Sequence, residues 1–213
     1  MKRLCLSVFI AAVLWFVMFS PWTARYVNFW YMMTASAVIL ISLSVTSRPL
    51  FLSVHGLDGL YQRRRDLTKA FLYGIGIAVV LWLVFWIGDK LSQMMFQFAR
   101  PQVDTIYGMK GDTSKWYICV SLLMLIGPAE EIFWRGYVQR RLMDVMGKNW
   151  GFIVATLIYT LIHIWSFNFM LVMAAMVVGM AWGWLYRLDR RLLLPLIISH
   201  ALWDAAAFVI FPF

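Results

Sequence analysis

What this chain has little of is charge. Only 14% of its residues are Asp, Glu, Lys or Arg, against about 25% in an ordinary soluble domain, while 63% are hydrophobic. A surface of that composition cannot be wetted all round, which excludes a water-soluble globular protein. Acidic residues are scarcest: ten Asp and Glu stand against nineteen Lys and Arg, a formal net charge of +9. Cysteine is scarce too. Cys5 and Cys119 sit in or beside apolar segments without ligand spacing, which excludes a disulfide framework and a zinc knuckle. There is no H-E-x-x-H helix, no internal repeat and no low-complexity tract.

What is present is a series of apolar runs, each near the 20 or so residues that cross a hydrocarbon core. They lie at 4–19, 26–45, 71–87, 116–134, 152–165, 167–185 and 192–210. The expected fold is all-α, a polytopic transmembrane helix bundle of about seven spans, forming one membrane domain over 1–213. The first run has the basic start and apolar stretch of a secretory leader. Phe19-Ser20-Pro21-Trp22 lacks the small-x-small cleavage pattern, so it is read as an anchor.

An odd number of spans separates the termini, and the basic residues choose the sides. With Lys2 and Arg3 cytoplasmic, that side also collects Arg48, Arg63, Arg64, Arg65, Lys69, Arg135, Arg140, Arg141, Lys148, Arg187, Arg190 and Arg191, which is 14 of 19. Arg25, Lys90, Arg100, Lys110 and Lys115 remain outside. The bias follows the positive-inside rule, predicts a cytoplasmic N-terminus and an exterior C-terminus, and makes the net charge a report on topology and lipid rather than nucleic acid. Trp22, Trp30, Trp116, Trp150 and Trp165 near span ends fit aromatic belts, and Trp82, Trp86 and Trp182 within spans read as packing. Gly74, Gly76 and the Gly179-x-x-x-Gly183 pair read as packing features as well. The connection 89–115 is expected to be the longest loop, with Met94 to Phe98 suited to lying along the outer interface.

Composition does not account for the polar residues of the last four spans. Glu130, Glu131, His163, His200 and Asp204 all fall in strongly apolar surroundings, where a charged side chain costs about 2.5 to 3.5 kcal/mol. A membrane helix keeps such groups by turning them inward, pairing them or opening a wet cavity beside them. Glu130 lies before the turn near Lys148 and His163 after it, both about 22 to 27 Å from that turn. His200 and Asp204 lie about 16 and 22 Å beyond the turn near Asp189, so all four can converge. Neighbours on a helix point about 100° apart. Glu131, four residues before Arg135, is therefore its natural partner, which leaves Glu130 to face the histidines. Gly127-Pro128 is expected to break the helix and restart it just ahead of the carboxylates.

The run Glu130-Glu131-Ile132-Phe133-Trp134-Arg135 resembles the EExxxR motif of the CAAX protease and bacteriocin-processing family of intramembrane endopeptidases, also called the Abi family. Tyr159-Thr160-Leu161-Ile162-His163 is similar to its FxxxH, and His200-Ala201-Leu202-Trp203-Asp204 to its HxxxN or HxxxD. The resemblance covers about 116–213, implying a four-helix catalytic core there, with 1–115 as N-terminal helices and an outer loop. It implies hydrolysis of a peptide bond in a membrane-associated protein or peptide, of the CAAX type or the leader and bacteriocin type. Glu130 and His163 would activate the water, His200 and Asp204 would stabilise the oxyanion, and Glu131 and Arg135 would support them.

Two residues depart from the commonest pattern. Tyr159 stands where the family has Phe and brings a hydroxyl that needs a partner when buried. Asp204, where Asn also occurs, donates to an oxyanion only when protonated, and otherwise orients His200. Two His and a carboxylate also suit zinc, the alternative mechanism, but without an H-E-x-x-H helix the expectation is catalysis with no cofactor. A proton-relaying transporter or an immunity-type binding protein is the alternative from another class. One Gly-Pro break, without paired broken helices, argues against transport.

Overall fold

The computed structural model describes residues 1–47 and 64–213. Arg48 and Arg63, counted above with the cytoplasmic cations, lie outside the described residues, as do the side chains of Arg64 and Arg65.

Ordered in the chain are α1 (Lys2–Phe19), α2 (Phe29–Ser47), α3 (Arg64–Met95) and the short α4 (Ala99–Gly108). Then come α5 (Lys115–Met146), α6 (Lys148–Ser166), α7 (Phe169–Leu188) and α8 (Arg190–Ile210). Seven helices among the described residues are long and apolar enough to cross a membrane, all except α4. The protein is an all-α, multi-pass integral membrane bundle. Its outer surface agrees: α3 alone exposes Phe71, Leu72, Tyr73, Val79, Val80, Leu83, Trp86 and Ile87, an apolar face that only lipid covers comfortably.

Polar residues survive inside these helices by bonding within them. The hydroxyls of Thr34, Ser36, Ser42 and Ser44 each donate to the carbonyl four residues earlier, at 2.8 Å, so these four donors are paired within their own helix. Helix ends are fixed by side chains and turns. Asn168 caps α7 by accepting from the Leu171 amide at 2.9 Å, and Asp189 caps α8 by accepting from the Arg191 amide at 2.9 Å. Hydrogen bonds from Arg191 hold the Asp189 carboxyl below its ordinary range. Gly147, at φ +82, makes the one-residue turn between α5 and α6, a conformation that side chains resist.

Helices approach closely where glycine permits it. A Cβ on Gly127 of α5 would stand 2.8 Å from the Ala201 backbone of α8, and one on Gly74 of α3 would stand 2.6 Å from Ile198 of α8. Gly179 abuts the Tyr159 ring of α6 and Gly183 abuts Gln139 of α5, each at 3.1 Å, so this pair is a packing feature as expected. Gly76 meets nothing within 4 Å and is not one.

Two other expectations are corrected. Helix α5 does not break at Gly127-Pro128: both sides keep helical dihedrals, and a π-helical stretch at Leu122–Ile126 precedes them. The wider turn accommodates the missing proline N–H without ending the helix. The connection 89–115 is not a loop either, because α3 runs on to Met95 and α4 fills Ala99–Gly108.

Helix α4 lies at one end of the bundle, tied there by polar contacts. Asn168 donates to the Gln102 carbonyl at 2.8 Å, and the Gln102 side chain accepts from the Met170 amide at 3.0 Å. Tyr107 donates to the Ala207 carbonyl at 3.1 Å and accepts from the Phe213 amide at 3.0 Å. Burial pushes the Tyr107 phenol above its ordinary range, so it remains a donor.

Candidate active site

Helix α5 carries three of the charged residues, and its second half is again π-helical from Ile132 to Gln139. Glu131 and Arg135 are wholly inside the bundle, 0% and 2% exposed, and Arg135 Nη1 donates to Glu131 Oε1 at 2.8 Å. Arg135 is therefore no loop cation, which corrects its place among the cytoplasmic charges. Its guanidinium lies 4.7 Å from the centre of the Tyr159 ring and 5.4 Å from that of Trp182, so aromatic faces replace part of its lost hydration.

The same Glu131 oxygen takes a second donor. His200 Nδ1 stands 2.8 Å from Oε1, and since a carboxylate paired with arginine only accepts, Nδ1 carries the hydrogen. The opposite nitrogen, Nε2, lies 3.4 Å from Asp204 Oδ2, one helical turn on. One proton between that pair serves either as N–H donating to carboxylate or as O–H donating to imidazole. Trp182 stacks on the His200 ring at 4.0 Å and donates to Ser199 Oγ at 3.2 Å. Reading Trp182 as packing was too coarse, because it packs on the histidine and the arginine of this cluster. The close approach of Gly127 to Ala201, beside His200, is what brings the two helices into this range.

Glu130 points elsewhere. Its Oε2 accepts from the Tyr159 hydroxyl at 3.3 Å, so the hydroxyl by which this chain departs from the Phe pattern finds its partner on the neighbouring carboxylate. The Tyr159 carbonyl in turn lies 2.8 Å from His163 Nδ1. A carbonyl only accepts, so Nδ1 is the protonated nitrogen, and Nε2 accepts from the Trp15 indole N–H at 3.1 Å.

Glu130, Tyr159, His163, His200 and Asp204 all line one cavity of about 400 Å³. Its other walls are mostly apolar and come from the whole bundle: Phe19 of α1, Trp30 of α2, Phe85 of α3, Tyr107 of α4 and Trp182 of α7 among them. Sequence reasoning missed this contribution of the first half. It missed Trp15 above all, whose only signal was an N–H within an apolar run. Asp89 of α3, buried at 6% exposure, also lines the cavity and accepts from the Gln93 amide at 2.6 Å.

Chemically, the cavity is lined by three carboxyl groups, of Glu130, Asp204 and Asp89, and two imidazoles, in surroundings that strengthen every electrostatic contact. Among the described residues no three His, Cys, Asp or Glu side chains are arranged to hold a metal ion.

Comparison with curated proteins and with solved structures finds no match. Residues 112–206 match the family described as Rce1-like, type II CAAX prenyl endopeptidase Rce1-like, and that segment holds all three motifs.

Proposed function

We propose that the chain is an intramembrane endopeptidase that hydrolyses a peptide bond of a membrane-associated protein or peptide in CAAX-type processing. The observation that carries this reading is that Glu130, His163, His200 and Asp204 open onto one cavity inside a membrane-spanning bundle. The family match at residues 112–206 supports it.

Glu130 is the base: it removes a proton from a water while the water oxygen bonds to the carbonyl carbon. The carbonyl oxygen becomes an anion and takes hydrogen bonds from His200 Nε2–H and protonated Asp204, a state in which each carries its own proton, one more than the resting pair shares. The C–N bond then breaks as Glu130 returns the proton to the departing nitrogen. Tyr159 steadies the Glu130 carboxylate, and Glu131 with Arg135 fixes His200 without leaving an unpaired charge. His163 shares the attacking water once its Nε2 is open to it.

The test is direct. Purified protein in mild detergent is incubated with peptides ending in a prenylated cysteine motif, and products are identified by mass spectrometry. Cleavage by the wild type and none by folded Glu130→Gln is the expected result. Cleavage lost to a chelator and restored by zinc would replace Glu130-led activation of water with a metal-led one.

A further inference from the structure

The first helix lies outside the segment that matches the family, yet one of its side chains engages a nitrogen at the centre of the cluster. Trp15 is fully buried, and its indole N–H donates to His163 Nε2 at 3.1 Å. Around that bond, α1 packs rings against the end of α6: Phe19 lies 5.7 Å from the His163 ring and Phe16 lies 5.0 Å from Trp165. Trp15 also meets Trp134 edge to face at 6.3 Å.

The consequence follows from imidazole chemistry. His163 Nδ1 is committed to the Tyr159 carbonyl at 2.8 Å, so Nε2 is the nitrogen left for any other partner. An unprotonated imidazole nitrogen has a single lone pair and accepts one good hydrogen bond. While the indole holds it, no water can donate there. Trp15 and the attacking water compete for one site.

We propose that Trp15 is a latch on His163, a positioning residue that fixes the imidazole by its Nε2 and must release that nitrogen before His163 can share the attacking water. The role assigned to His163 rests on the hydrolytic reading above. The bond itself does not, and the experiment separates the two.

Two changes remove the N–H. Trp15→Phe is the simple one. Replacing Trp15 by benzothienylalanine keeps the bicyclic shape and substitutes sulfur for N–H, so packing is preserved if the Phe variant folds poorly. The first readout is the rate at which diethyl pyrocarbonate, which acylates an unprotonated imidazole nitrogen, modifies His163, followed by peptide mass spectrometry with His200 as internal standard. The second is kcat/KM on a cleaved peptide.

Removing one neutral hydrogen bond is expected to speed His163 modification by about three- to tenfold, leave His200 unchanged and raise kcat/KM by a similar factor. A purely structural Trp15 would instead lower activity along with thermal stability. Equal modification of His163 in wild type and both folded variants would overturn the latch, as would a fall in kcat/KM in the shape-preserving variant. If the wild type cleaves no peptide, the hydrolytic reading fails, and the modification rates still decide whether Trp15 guards His163.

Discussion

Glu130 and Glu131 are adjacent in the chain and have opposite surroundings. Glu131 is wholly enclosed and binds Arg135 and His200 through one oxygen, whereas Glu130 faces the cavity and receives one hydroxyl. Glu130→Gln is therefore expected to abolish proteolysis while the unfolding temperature stays near that of the wild type. Glu131→Gln strands a buried guanidinium and should cost about 3 kcal/mol or more in stability. Activity and thermal unfolding measured on both proteins check this. Asp204 permits a sharper test. If it donates to the oxyanion as a neutral carboxyl, Asp204→Asn keeps a donor, retains most activity, and loses whatever fall in rate the ionisation of Asp204 causes at high pH. If it acts as an ionised partner of His200, the same change should cost about a hundredfold or more. We expect the first, and a pH profile of kcat/KM for the two proteins decides it. The Glu131–Arg135 pair was legible in the sequence because it obeys helical spacing. The Glu131–His200 contact was not, since it spans 69 residues and depends on how closely α5 and α8 pack. Trp15 was not legible either: within an apolar run, tryptophan reads as a hydrophobic side chain, and its donor gains meaning only from the acceptor it meets.

At the scale of elements, glycine decides which helices touch. Gly127 and Gly76 are both helical glycines with opposite neighbourhoods, one against the Ala201 backbone and the other with nothing within 4 Å. Gly127→Ala should push α5 off α8, lower stability by about 1 to 3 kcal/mol and weaken the bond between Glu131 and His200. Gly76→Ala should do the reverse in sign, gaining up to about 1 kcal/mol from helix propensity. Thermal unfolding of the two variants in the same detergent compares them. The seven spans were legible because hydrophobic length is written along the chain, and their ends were legible to within a few residues for α1, α2, α6, α7 and α8. Helix α5 was drawn too short because its second half, from Arg135 on, carries charges that normally mark a loop. The structure buries Arg135 beside Glu131 rather than exposing it.

For the whole molecule, the contacts at the two ends of the bundle set a topology that orientation must respect. One end gathers Asn28 with Thr113, Gln102 with Asn168, and Tyr107 with Phe213. The other gathers Arg187 with Asn149 and Arg190 with Asp144. In the sequence, removing Arg135 from the count still leaves thirteen of the nineteen cations on the side expected to be cytoplasmic. A reporter fused after Phe213 is expected outside and one between α2 and α3 inside, and inverted labelling would refute the orientation. The shared Glu131 oxygen has a mechanical meaning as well. It works as a rivet between α5 and α8: any movement that parts those helices has to break the bond from His200 to an oxygen that Arg135 of the same α5 already holds in place, while α1 meets the bundle through a neutral indole bond and ring contacts. On the proposed hydrolytic reading, a polypeptide would enter past the lightly held α1, with the riveted pair as the fixed anvil beneath it.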